Sequence, residues 1–223
     1  MNCKRRFDLE NSKKNILVEI IIVLLSYIFF MFFISTLGIG DVPWIAIIFN
    51  LAMGIIPIEL YKSKNRHLET LGFTKKNPIM QLMISLILLI ILIMVFIAIP
   101  MLFGVEKSYL VAGRIDNIKE VIFQFFFMIF CLGFGEEVLF RGFLLERILA
   151  LTSSKNISIL TSSMIFGVVH YILNRNIFQV LIASIIGMVF ATAKMYIKHC
   201  TLYTLILVHG LFNFSLILLR CTL

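Results

Sequence analysis

Glu136, Glu137 and Arg141 stand in the stretch Gly133-Phe-Gly-Glu-Glu-Val-Leu-Phe-Arg141, inside a run that is otherwise Phe, Leu, Ile and Met. An ionisable group at bilayer depth costs roughly 2.5–3.5 kcal/mol even on a lenient insertion scale, so three of them need a compensating partner or a chemical task. Helix geometry divides their roles. Glu137 and Arg141 are four residues apart, share a face and can pair. Glu136 is turned about 100° from Glu137 around the helix, so it is not held by that contact. One carboxylate is then structural and the other is available for chemistry. Two further pairs sit in later apolar runs at the same spacing: Phe166 with His170, and His209 with Asn213. Each pair shares one helix face. A carboxylate, two imidazoles and an amide from three helices, in hydrocarbon surroundings, are what activating a water and stabilising an oxyanion require. Residue types and spacing do not choose between Glu136 and Glu137 as the base.

The elements that position these groups follow from composition. The 223-residue chain is 61% hydrophobic and 14% charged, with a net charge of +8 and a mean hydropathy of +1.03. Long apolar runs between short basic loops exclude an ordinary soluble domain and mark a polytopic membrane protein. The fold class expected is all-α, a transmembrane helix bundle of about seven to eight spans. The runs are about Ile16–Leu37, Trp44–Tyr61, Ile79–Phe103, Glu120–Ala150, Ile157–Leu173, Ile177–Tyr196 and Leu202–Leu219. Gly133 and Gly135 could break the fourth helix and change the count. Gly38–Pro43 reads as a tight turn and Gly104–Lys119 as a mixed-charge loop. The organisation expected is a basic N-terminus over 1–15, N-terminal spans and loops over 16–119, and a catalytic core over 120–219. Lys4, Arg5, Arg6, Lys13 and Lys14 precede the first span, and Lys62, Lys64, Arg66, Lys75 and Lys76 follow the second. Basic loops face the cytoplasm, which places the N-terminus there and Gly104–Lys119 outside. The positive charge fits anionic lipid rather than nucleic acid. Cys3, Cys131, Cys200 and Cys221 have no zinc-type spacing and read as free thiols or packing residues.

Taken in order, Glu136-Glu137-x-x-x-Arg141, Phe166-x-x-x-His170 and His209-x-x-x-Asn213 resemble the CAAX-protease and bacteriocin-processing family, also called abortive-infection proteins. The resemblance covers about Val121 to Asn213, and Leu71-Gly72-Phe73 is similar to a short element that often precedes this core. It implies an intramembrane endopeptidase, some relatives of which remove the C-terminal tripeptide of prenylated CaaX proteins. It also implies roles. Glu136 with His170 would activate the water, and His209 with Asn213 would form the oxyanion hole. Glu137, Arg141 and Phe166 would support the site. The expected partners are a peptide or membrane-protein substrate and the lipid bilayer. The expected location is the plasma membrane of a bacterium.

Three rival readings have their own discriminators. Glu136, His170, His209 and Asn213 could bind zinc as a metalloprotease does, although no HExxH is present; no cofactor is the expectation, and a chelator separates the two. A non-enzymatic immunity factor or scaffold could bind a peptide in the same cavity without cutting it. A small transporter could use the buried charges as a relay, but no internal repeat is detectable.

Overall fold

The computed structural model describes residues 3–37, 42–106, 115 and 117–221, with the side chains of 3–11, 35, 173 and 174 set aside. The turn expected at Gly38–Asp41, most of the loop Gly104–Lys119 and the side chains of Lys4, Arg5 and Arg6 lie outside the described residues.

Seven long helices follow one another among the described residues. They are α1 (Cys3–Leu37), α2 (Pro43–Ser63), α3 (Pro78–Leu102), α4 (Ile118–Thr152), α5 (Lys155–Asn174), α6 (Ile177–Tyr196) and α7 (Leu202–Leu219). Their starts are written in local chemistry. Pro43 and Pro78 occupy the first turn of α2 and α3, where a missing N–H costs nothing. Asn117, Ser154 and Asn176 cap α4, α5 and α6 through their side chains. Thr201 and Thr204 form a reciprocal capping box on α7, satisfying donors that a helix start leaves open.

Among the described residues, six helices are long and apolar enough to cross a bilayer: α1 from Ser12, then α2, α3, α4, α6 and α7. The protein is therefore an integral membrane helical bundle. The remaining helix, α5, carries Ser158, Thr161, Ser162, Ser163 and His170, which dilute its apolar content, and it packs closely along α6. Gly167 of α5 sits so close to Ser184 and Val180 of α6 that a Cβ there would collide with both, a small-residue contact of the kind membrane helices use for close packing.

Helix α4 is the centre of the bundle, with α2, α5 and α7 packed on its middle. It does not break at Gly133 and Gly135. It runs continuously, with Gly133 helical at φ −59°, ψ −42°. The two glycines serve close approach instead. A Cβ on Gly135 would strike the backbone carbonyl of Asn50 in α2, and one on Gly133 would lie 2.9 Å from the Ile206 carbonyl of α7. What does interrupt α4 is a pair of π-helical turns, Met128–Gly133 and Val138–Leu144. They flank the four-residue α-helical turn Phe134–Glu137 that carries both carboxylates. Wide turns of this kind often occur at functional sites, since they re-aim side chains without ending the helix.

The Leu71-Gly72-Phe73 element closes a 3-10 turn, Leu68–Leu71, beneath this centre. Gly72 has φ +103°, a region that L-residues with a Cβ avoid. That conformation lets the Gly72 carbonyl accept the Leu202 N–H at 3.0 Å, docking the loop on the start of α7. Leu71 is fully buried in the core cluster that also holds Tyr61, Leu139, Phe140, Phe143 and Phe166.

Candidate active site

Glu136 and Glu137 project from the α-turn between the two π-turns of α4, and both are buried. The four-residue spacing of Glu137 and Arg141 is realised as an ion pair, Arg141 Nη1 donating to Glu137 Oε1 at 2.8 Å. The side chains are 2% and 0% exposed. The guanidinium is also sandwiched by aromatic rings, lying 4.1 Å from the Phe166 ring centre and 5.3 Å from that of Phe190. Desolvated cation–π contacts of this kind are worth about 2 kcal/mol. Gly187 of α6 leaves the room: a Cβ there would come 3.2 Å from both Arg141 Nη2 and Phe166 Cδ1.

His209 reaches the same carboxylate from α7. Its Nδ1 lies 2.6 Å from Glu137 Oε1, so that one oxygen accepts from two partners. The far ring nitrogen, Nε2, lies 3.6 Å from Glu136 Oε2. An imidazole on another helix thus stands between the two carboxylates, hydrogen-bonded to Glu137 and 3.6 Å from Glu136. Sequence spacing along α4 could not show this. Phe166 and Phe190 wall the imidazole, with ring centres 6.2 Å and 5.6 Å away.

A carboxylate only accepts, so the Nδ1 of His209 carries a proton. The Nε2 donates if the ring is an imidazolium and accepts if it is neutral. With an imidazolium, the charges of Glu136, Glu137, Arg141 and His209 sum to zero.

His170 is half-buried on α5. Its Nδ1 lies 2.8 Å from the Phe166 carbonyl, which again places the proton on Nδ1 and leaves the lone pair of the neutral ring on Nε2. Phe166 stacks edge-on between this ring, at 4.6 Å, and Phe140, at 4.9 Å. Phe166 therefore touches Arg141, His170 and His209 together. Asn213, one turn beyond His209 on α7, is half-buried. Among the described residues no group of three or more His, Cys, Asp or Glu side chains converges as metal ligands would.

Two supporting residues are absent from the sequence reading. Phe190 forms the second wall of the Arg141 cage. Lys194, near the end of α6, is turned inward, with its side chain 6% exposed. It donates to the Arg141 carbonyl at 2.7 Å and to Glu146 Oε1 at 2.9 Å. The π-turn alters backbone hydrogen bonding around Arg141, and Lys194 supplies a donor to that carbonyl from a neighbouring helix. The available signal was its place two residues inside the end of an apolar span, where a lysine needs a partner.

With that geometry in place, the comparisons with known proteins bear on its meaning. No curated protein matches the chain, and no solved structure does. Residues 118–215 match the family model described as type II CAAX prenyl endopeptidase, Rce1-like. The matched segment contains α4 to most of α7, and with them Glu136, Glu137, Arg141, Phe166, His170, His209 and Asn213. This segment, a little under half of the chain, is what is similar to that family of CAAX endopeptidases, which are membrane peptide hydrolases.

Proposed function

We propose that the protein is a glutamate-dependent intramembrane endopeptidase in which Glu136 is the general base. The observation that carries this reading is the unequal use of the two carboxylates. Glu137 is fully buried, and its Oε1 accepts from Arg141 at 2.8 Å and from His209 at 2.6 Å. Glu136 keeps 12% of its side-chain surface, and its Oε2 makes no hydrogen bond among the described residues. A base must be free to take a proton, whereas an orienting group must be fixed.

In this scheme Glu136 removes a proton from a water while the water oxygen forms a bond to the scissile carbonyl carbon. The His170 ring, oriented by the contact of its Nδ1 with the Phe166 carbonyl, helps to hold that water. His209, fixed by Glu137 as an imidazolium, and the Asn213 amide donate to the oxyanion. When the C–N bond breaks, the proton held by Glu136 passes to the leaving amine. No cofactor enters the scheme. The substrate is a peptide or a membrane-associated protein; removal of a prenylated CaaX tail and bacteriocin-type processing are the two candidate reactions. The bacterial plasma membrane and a cytoplasmic N-terminus complete the reading, supported by the basic segments that flank α1 and α2.

The test is a mass-spectrometric comparison of membrane peptides from cells making the wild-type protein or Glu136→Ala at matched abundance. Peptides truncated only with the wild type support the proposal. Identical peptide sets would favour an immunity or scaffold role instead.

A further inference from the structure

A second polar pocket lies at the end of α4, away from the carboxylates. Arg147 of α4, Lys64 and Arg66 just past α2, and Ser12, Asn15 and Glu19 of α1 border a cavity of about 510 Å³. Among the described residues, three cationic side chains there face one carboxylate, an excess of two positive charges. Glu19 is committed: Arg66 donates to both of its oxygens at 2.7 and 2.9 Å, and Arg147 Nη1 stands 3.9 Å from it. That leaves Lys64 on the rim and the buried Nε of Arg147, which has no hydrogen-bond partner among the described residues. Both guanidinia are pre-positioned over one ring, 5.3 Å and 4.8 Å from the centre of Tyr61. Guanidinium and ammonium groups around a roomy pocket suit a phosphate.

Depth indicates the source of that phosphate. The pocket is built where the apolar run of α1 begins at Ile16, where α2 ends at Ser63 and where α4 nears its end at Thr152. Ends of spans lie at headgroup level, where basic pockets between helices receive anionic lipid heads. Above the pocket the same face of α1 continues at helical spacing from Glu19 to Val23, Tyr27 and Phe30. With Phe49, Met53 and Ile56 of α2 these line a narrow apolar crevice. We infer that this pocket binds the phosphate of an anionic membrane lipid. The inference does not depend on the peptidase reading.

The test measures the affinity of the full chain, in neutral-detergent micelles, for dioleoyl phosphatidic acid against dioleoyl phosphatidylcholine. Inorganic phosphate serves as competitor. The wild type should prefer phosphatidic acid by about 30-fold, and Lys64→Gln/Arg147→Gln should erase that preference, at about fivefold per basic residue. Lys75→Gln/Lys76→Gln, in the exposed loop outside the pocket, should keep it. If the first double variant fails to fold, Lys64→Gln alone decides, with about a fivefold loss expected. A wild type without preference, or an equal loss in Lys75→Gln/Lys76→Gln, would overturn the pocket. Displacement of the lipid by millimolar phosphate would make it a free-anion site and overturn the lipid assignment.

Discussion

Glu137→Gln isolates the part of the site that is held from the part that is free. Gln is nearly isosteric with Glu, and its Oε1 can still accept from Arg141 and from His209 Nδ1. The hydrogen bonds can therefore survive while the charge does not. Arg141 is then a buried cation, 2% exposed, left with its aromatic cage and the more distant Glu136. Removing one partner of a buried pair costs about 3–5 kcal/mol. The retained hydrogen bonds and the Phe166 and Phe190 contacts place this case at the low end, about 3 kcal/mol. At about 2–4 °C per kcal/mol for a chain of this length, the melting temperature should fall by about 6–12 °C. Glu136→Gln breaks no hydrogen bond given by the structure, though it removes the carboxylate 3.6 Å from His209 Nε2, and should lower the melting temperature by clearly less than Glu137→Gln does. The assay is thermal unfolding of the purified proteins in one detergent, with abundance in membranes as a second readout. Glu137→Met/Arg141→Met should recover part of the loss, because it removes both charges together. A stable Glu137→Gln beside an unstable Glu136→Gln would reverse the two assignments.

Three further outcomes follow from other parts of the molecule. Asn213→Ala should lower turnover by about 10²–10³ with KM little changed, as removal of one oxyanion donor does; full turnover in steady-state kinetics would remove Asn213 from that role. Gly135→Ala places a Cβ against the Asn50 backbone carbonyl, which cannot move aside as a side chain can. It should cost about 1–3 kcal/mol by overpacking, read as a lower melting temperature, and an unchanged value would contradict the close α2–α4 contact. Burial pushes the Cys200 thiol up to about 12, with Glu137 raising it further and Lys194 opposing. The folded protein therefore keeps this thiol protonated where an unfolded chain, near 8.5, would begin to ionise it. Its contribution to stability is full below about pH 8.5 and is lost as the pH climbs toward 12. At pH 8 maleimide should label Cys200 only after denaturation, because the thiolate is the reactive form; rapid labelling of the native protein would refute its burial.

The helices and the Glu137–Arg141 pair were legible because both rest on local periodicity. Apolar runs of bilayer length mark spans, and a spacing of four on a helix brings two side chains together. The π-turns on either side of Glu136 and Glu137 were not legible. Arg141 and the glycines aside, Met128–Gly133 and Val138–Leu144 read as ordinary apolar helix, and nothing in that pattern marks a widened turn. Contacts between distant segments were equally silent. Glu19 and Arg66 are 47 residues apart, and Lys194 lies 53 residues beyond the carbonyl it binds. The position of His209 between both carboxylates belongs to the same class. Its spacing to Asn213 announced a shared face, but which carboxylate that face meets depends on how α7 sits on α4. The glycines illustrate the converse. Gly133 and Gly135 suggested a break, whereas in an apolar bundle the missing side chains allow two backbones to approach.

The most direct test of the account compares wild-type, Glu136→Gln and Glu137→Gln proteins on one identified peptide substrate. Each is purified, shown to be folded and assayed with and without a zinc chelator at equal concentration of folded enzyme. The account predicts that Glu136→Gln is folded and more stable than Glu137→Gln yet yields no product, and that chelator leaves wild-type turnover unchanged. Cleavage by Glu136→Gln at the wild-type rate, or wild-type activity abolished by chelator and restored by zinc, would contradict it.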